Sequence, residues 1–281
     1  MTSLADQTIL ITGATDGLGR ALAHQLAVRG ASLILHGRSG EKGRELLTEL
    51  RSSTGNERLS FVRADFASLD EIQALAERLL DVGRLDVLVN NAGIGVERAR
   101  QESEDGLELT FQVDYLATYV LSCRLAPLLV RSAPARIVNV SSAGQAPIDF
   151  SNVMLRHGWD GTQAYCQAKL AQIMLTIDLA EELAGTGVTV NALHPASYMP
   201  TKIVTHLFTP QSTIEEGVAN TLRLVVEPEF AETTGQYFNR SQTARAAAQA
   251  YDVTARARLR EISEKLTGTP FPSLHDKDAG R

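Results

Sequence analysis

The sequence predicts an α/β protein built on a doubly wound, mostly parallel sheet of seven strands with helices on both faces. Three observations predict it. Short aliphatic and β-branched runs alternate with longer segments of helical period, the mark of βαβ units. The runs are compact and almost wholly apolar, as strands covered on both faces must be. The first of them passes straight into a glycine-rich turn that opens a helix.

In chain order, the strand candidates are 8–12, 32–36, 59–63, 87–90, 136–140, 188–193 and 236–239. After the first strand, 18–28 carries Leu18, Ala21, Leu22 and Leu26 on one helical face. The stretch 104–130 reads as a long helix that Pro127 kinks or closes near its end. The segment 163–184 repeats the amphipathic pattern through Leu170, Ile173, Met174 and Ile177. Two stretches break the alternation, 145–161 and 195–212, and loops of that length in a compact domain are functional or disordered. From 242 the chain is rich in Ala and Arg and then reaches Pro270 and Pro272, which reads as a surface helix followed by a flexible end. Arg245, Arg256, Arg258 and Arg260 are expected on its solvated face. With no internal repeat, the expected organisation is one domain over 1–241 with 242–281 as an appended tail.

Composition narrows the function. Of 281 residues, 33 are acidic and 27 basic, a formal charge of −6, which argues against a nucleic-acid partner and leaves small-molecule chemistry. Two cysteines, Cys123 and Cys166, form no disulfide framework and point to a reducing compartment, the cytoplasm. The histidines at 24, 36, 157, 194, 206 and 275 lack zinc spacing, so no metal is expected. No basic leader and no run of 18 apolar residues marks export, an anchor or a membrane partner.

The chemistry-bearing residues come in two groups. Thr12-Gly13-Ala14-Thr15-Asp16-Gly17-Leu18-Gly19 lets the backbone turn sharply and approach a pyrophosphate, whose charge meets the free N–H groups of a helix N-terminus. This is a dinucleotide cradle of the Rossmann type. The second strand then ends Leu35-His36-Gly37-Arg38, with no acid to bind a ribose 2′-hydroxyl. Arg38 can grip a 2′-phosphate instead, so NADP(H) is preferred and NAD(H) stays open. In the second group, Tyr165 and Lys169 lie four residues apart on one helical face. An ammonium beside a phenol favours the phenolate and lowers its pKa, which suits it to general acid–base work. Ser142, at the carboxyl end of the fifth strand, can hydrogen-bond a substrate oxygen.

Taken together, these residues resemble the short-chain dehydrogenase/reductase family. The run Ala164-Tyr165-Cys166-Gln167-Ala168-Lys169-Leu170 is similar to its retinol dehydrogenase-like branch. Asn90-Asn91-Ala92-Gly93 after the fourth strand and Asp65-Phe66 after the third add to the likeness. The resemblance implies hydride exchange between a nicotinamide cofactor and a carbonyl or alcohol, with Tyr165 moving the proton. It implies cofactor contacts at Asp65 and Phe66 for adenine, at Asn91, Ala92 and Gly93 for ribose, and at Lys169 for the nicotinamide ribose. Pro195 and Thr201 would serve the nicotinamide carboxamide end. Ser142 is the substrate contact and Ser141 a structural residue. Homodimers or homotetramers joined through the 104–130 and 163–184 helices are also implied.

Three departures qualify the likeness. The family's helix Asn is Asp114, which can pair with Lys169 or carry the same water. His194-Pro195-Ala196 replaces Pro-Gly, with Thr201 one residue late. The Ser142–Tyr165 spacing carries an insertion of about ten residues beside the site. Apolar residues there (Phe150, Val153, Met154, Leu155, Trp159) and at 198–208 (Tyr198, Met199, Ile203, Val204, Leu207, Phe208) form a lid for a lipophilic substrate, or else simply pack loop onto core. Competing readings are a fold-retaining cofactor-binding or regulatory protein impaired by Asp114, and an S-adenosylmethionine methyltransferase. The latter shares the glycine turn but has no use for a Tyr-Lys pair.

Overall fold

The computed structural model describes residues 4–273. Its sheet runs β3-β2-β1-β4-β5-β6-β7-β8. The strands are β1 (Thr8–Ile11), β2 (Ser32–Gly37), β3 (Leu59–Arg63), β4 (Val87–Asn90), β5 (Ala135–Val140), β6 (Val188–His194), β7 (Tyr237–Asn239) and β8 (Gln242–Ala244). All neighbours pair in parallel except β7 and β8. The reversal of order at β1 and β4 creates the crevice at the carboxyl ends of the strands where such sheets hold ligands.

Helices cover both faces: α1 (Gly17–Val28), α2 (Gly40–Thr54), α3 (Leu69–Leu80), α4 (Ala117–Arg131), α5 (Gly161–Glu182), the single turn α6 (Lys202–Thr205), α7 (Ile214–Val226) and α8 (Val253–Thr267). Two cores result, one on each side of the sheet. One is built around α3, α4 and α5; the other is built around α1, α2 and α7.

The predicted strands fall within a residue of their observed limits, but the sheet has eight strands instead of seven. Gln-Thr-Ala of β8 is a largely exposed edge strand, pinned by the turn at Arg240 (φ 55°), and carries no apolar run to betray it. The helix expected from 104 begins five residues later. Glu102 and Glu108 form an isolated bridge around Gly106 (φ 71°), and the Glu108 carboxylate accepts from the Phe111 N–H at 2.7 Å. A π-helical stretch, Phe111–Leu116, then leads into α4, and Pro127 sits one turn before its end. This helix is apolar and long enough to cross a membrane, but most of it is buried as a core element.

The tail departs most from expectation. Leu259, Ile262 and Leu266 form an apolar stripe at helical spacing, and α8 turns it inward. Arg256 lies buried, its guanidinium on Asp178 at 2.6 Å and Glu181 at 2.8 Å, both in α5. Arg258 and Arg260 lie over Phe150 and Phe271, and Arg245 over Tyr251. Ser263 Oγ meets Tyr115 Oη at 2.7 Å, and Tyr119 Oη donates to Thr269 O at 3.1 Å. The segment after 242 therefore shares the core of the preceding domain, and no surface tail begins there. The expected flexible end beyond 273, with His275, lies outside the described residues.

One result bears on assembly. No residue is exposed from 109 to 126 or from 164 to 180, whereas Pro127, Glu181 and Ala184 near the ends of the same two helices are exposed.

Candidate active site

The glycine turn forms because three segments press together at the ends of β1, β2 and β4. Gly13 (φ 65°) and Gly17 (φ 51°) take left-handed conformations that other residues adopt only under strain. A side chain at Gly13 would come within 2.8 Å of Ala92 Cα, and one at Gly19 would strike Gly13 O. The Thr12 hydroxyl accepts from the N–H groups of Asn91 and Ala92, each at 2.9 Å. Asn91 returns the contact, its amide donating to Thr12 O at 2.8 Å and Gly13 O at 3.2 Å. Asp16 caps α1 by accepting from the Gly17 N–H at 2.9 Å. The Leu18 and Gly19 N–H groups, in the first turn of the helix, have no acceptor among the described residues. Free N–H groups at a helix start, with no side chain in the way, fit a pyrophosphate.

His36, which carries no signal in the sequence beyond its lack of zinc spacing, holds this turn. Gly13 N–H donates to His36 Nδ1 at 3.3 Å, and Nε2 lies 3.0 Å from Ala64 O, which assigns the neutral Nε2–H tautomer. Burial keeps the ring neutral, pushing its pKa down to about 4. Phe66 stacks on it at 4.3 Å and is itself buried, so the Phe66 ring is core and only its main chain can face a cofactor. Asp65 is half-buried, accepting from the Ala67 N–H at 3.0 Å. Gly37 packs against Thr15, and Arg38 next to it is exposed, with no ion-pair partner among the described residues.

At the carboxyl end of β5 the second group converges. Ser141 Oγ donates to Lys169 O at 2.7 Å, a structural contact as expected. Ser142 Oγ accepts from the Gly144 N–H at 3.0 Å, and its hydroxyl is near enough to Tyr165 to favour the phenolate. Lys169 Nζ lies 5.6 Å from the Tyr165 ring centre and 3.1 Å from Asp114 Oδ2. Asp114 Oδ1 accepts from the Ile94 N–H at 2.7 Å, and Gly93 lies so close to the carboxylate that a side chain there would crowd it. Asp114 therefore pairs with Lys169, one of the two expected outcomes.

The electrostatics revise the sequence expectation. Burial is the largest influence on Tyr165 and pushes its pKa up; Lys169 and Ser142 pull it down, Asp114 pushes it up again, and the net direction is upward. Lys169 is driven down by burial but held above its usual value by Asp114 and Tyr165, so it stays an ammonium. Burial pushes the Asp114 carboxyl up against the pull of Lys169. The phenol is thus a neutral proton donor near pH 7, and the expected net acidification is absent because desolvation outweighs the cation.

The two candidate lids separate. Ile148, Val153, Met154 and Leu155 of the insertion are buried, with Gln167 donating to Val153 O at 2.9 Å and Trp159 Nε1 to Glu108 at 3.3 Å. That loop is packed onto the core. In the later loop Tyr198, Ile203, Leu207 and Phe208 are exposed. Thr201 packs against Gly17, Lys202 pairs with Asp16 at 2.6 Å, and Arg98 donates to His206 O at 3.0 Å. The loop is thereby strapped from the glycine turn to the segment after β4. Pro195 is buried, its carbonyl accepting from Asn220 at 2.8 Å. Among the described residues no three His, Cys, Asp or Glu side chains converge on a metal position.

Comparison with known proteins accords with this geometry. The short chain dehydrogenase family matches residues 7–212. Human retinol dehydrogenase 13 is 33% identical over 99% of this chain and 90% of its own. An uncharacterised protein from Mycobacterium paratuberculosis superposes with a TM-score of 0.81 at 28% identity, over 97% of both chains. A protein described as an NAD(P)-dependent gluconate 5-dehydrogenase from Beutenbergia cavernae, solved with NADP bound at low occupancy, gives a TM-score of 0.70. It is 31% identical and covers 84% of this chain and 96% of its own.

Proposed function

The chain belongs to the short-chain dehydrogenase family and is an oxidoreductase of CH–OH and C=O groups, and from that premise we propose that it exchanges hydride between NADP(H) and a small lipophilic carbonyl or alcohol. One observation carries the reading: at the carboxyl end of β5, beside Ser142, the Lys169 ammonium stands 5.6 Å from the Tyr165 ring centre and is itself held by Asp114 at 3.1 Å. The glycine turn with its free N–H groups supports a dinucleotide, and unpaired Arg38 beside it supports a 2′-phosphate. A bound nicotinamide supplies or receives the hydride.

Ser142 orients the substrate oxygen, and Tyr165 gives it the phenolic proton as the carbonyl carbon takes the hydride and its π pair moves to oxygen. In the reverse direction Tyr165 takes the alcohol proton back. Lys169 keeps its charge near the phenolic oxygen and so stabilises the phenolate left after transfer. Asp65, Asn91, Ala92, Gly93, Pro195 and Thr201 are proposed to frame the cofactor, and the 198–208 loop to cover an apolar substrate.

The test is NADPH and NADH oxidation against aromatic, isoprenoid and steroid carbonyls, with Tyr165→Phe as control. Loss of about 10²-fold or more in the Phe variant supports the assignment; full activity overturns it. The Asp114–Lys169 pair also favours the second reading, a cofactor-binding protein without turnover. Tight NADPH binding with no turnover, unchanged in Asp114→Asn, would select it.

A further inference from the structure

Around Lys169 the protein sets one carboxylate and two hydrogen-bond acceptors. Besides Asp114 Oδ2, Nζ lies 3.3 Å from Val140 O and 3.3 Å from Gln172 Oε1. The other end of Gln172 donates to Asp114 O at 2.7 Å and to Thr118 Oγ1 at 3.2 Å. Thr118 Oγ1 in turn donates to the same carbonyl at 3.1 Å. That carbonyl lies in the π-helical stretch, where the widened turn lets side chains reach a main-chain oxygen. Gln172, Thr118 and Asp114 are all buried. The result is a closed ring, Lys169–Gln172–Asp114, that binds the cation by charge on one side and by an amide on the other.

We propose that Asp114, with Gln172, is a positioning residue that takes up the Lys169 charge and so withholds it from the Tyr165 hydroxyl. The inference rests on the assignment of Tyr165 as the proton carrier. It follows from where the charges stand. Tyr165 is faced by Lys169 and Cys166 from α5, Asp114 from the π-helical stretch, the Ser142 hydroxyl after β5 and Tyr237 from β7. Glu108 faces Asp114 from behind. Lys169 is the only cation among these groups, and its nearest partner is a carboxylate. An amide at 114 would keep the shape while removing the counter-charge. The overall reaction equilibrium is untouched; what moves is the pH at which each direction loses its working form of Tyr165.

The experiment reads Tyr165 directly. Phenolate absorbance is titrated in the cofactor-free protein, with the curve of Tyr165→Phe subtracted, for wild type, Asp114→Asn and the double variant Lys169→Met/Asp114→Asn. Asp114→Asn is expected to lower the Tyr165 midpoint by about one pH unit or more, a tenfold change in proton affinity. The double variant, which removes both charges, is expected to fall within about half a unit of wild type. The alkaline limb of NADPH-dependent carbonyl reduction should move down with the Asp114→Asn midpoint.

An unchanged midpoint in folded Asp114→Asn overturns the proposal. If that variant does not fold, a double variant shifted up by a full unit overturns it as well. Because the titration needs neither cofactor nor substrate, a shifted midpoint without turnover upholds the charge ring and counts against the assigned reaction. Turnover with an unmoved midpoint does the reverse.

Discussion

Arg256→Ala should unlock the helix that carries Tyr165 and Lys169. The guanidinium is 5% exposed in its side chain and holds Asp178, itself only 11% exposed, at 2.6 Å. It also forks onto Glu181 at 2.8 and 3.0 Å, but that carboxylate is 63% exposed and contributes little. At an effective dielectric near 20 the attraction to Asp178 is roughly 6 kcal/mol, most of it offset by desolvation of both ions. Removing Arg256 takes away the only cation among the described residues in contact with the buried Asp178 carboxylate and leaves Arg260 beyond ion-pair range, a loss of about 3–5 kcal/mol. For a chain of this size that lowers Tm by roughly 6–15 °C. Burial already pushes the Asp178 carboxyl up, with Arg256 as the main opposing pull, so the variant raises it further. A carboxyl whose folded pKa lies above its unfolded one destabilises the fold while ionised, and the penalty fades as pH falls. The deficit should therefore be largest near neutral pH and shrink on acidification. Thermal unfolding followed by circular dichroism from neutral pH downward checks both points. A Tm loss under 2 °C, or a deficit that grows in acid, would refute the reasoning.

Other expectations follow from the glycine turn. Arg38→Ala should raise the KM for NADPH by roughly 10- to 100-fold, the worth of a charged hydrogen bond, while leaving NADH within about twofold; steady-state kinetics with both cofactors decide it. His36 holds its neutral form down to about pH 4 in the fold, whereas an unfolded histidine takes up a proton near 6.5. The unfolded state thus gains protons first, and stability should fall between pH 6.5 and 4 by up to about 3 kcal/mol from this group. Denaturant titrations over that range, with His36→Gln showing a flatter dependence, measure it.

The parts of the molecule legible in sequence are those whose physics is local. The central strands β1, β4, β5 and β6 are almost wholly buried, so their apolar runs mark them within a residue, and the runs of β2, β3 and β7 still register. Gly13, Gly17 and Gly19 sit in a strand–turn–helix order that few other structures need, and Tyr165 and Lys169 are joined by helical spacing. What escaped depends on distant partners. His36 draws its meaning from Gly13 and Ala64, at sequence separations of 23 and 28. The direction of the Tyr165 shift depends on burial, which no spacing reveals. Both apolar loops look alike in sequence, yet in the 145–161 loop Ile148, Val153, Met154 and Leu155 turn inward, while in the 198–208 loop Tyr198, Ile203, Leu207 and Phe208 face outward. In α8 the many arginines hid a stripe of Leu259, Ile262 and Leu266, and β8 is too short and polar to register.

The attachment of α8 to its own chain has a kinetic and thermodynamic side. In an assembly that braces its catalytic helix with a neighbour, the bracing is set by protein concentration and lapses on dilution. Here the brace is tethered to β8 by a short stretch of chain, so it meets α5 at an effective concentration fixed by that tether. The share of order at Tyr165 and Lys169 that comes from α8 is then independent of protein concentration.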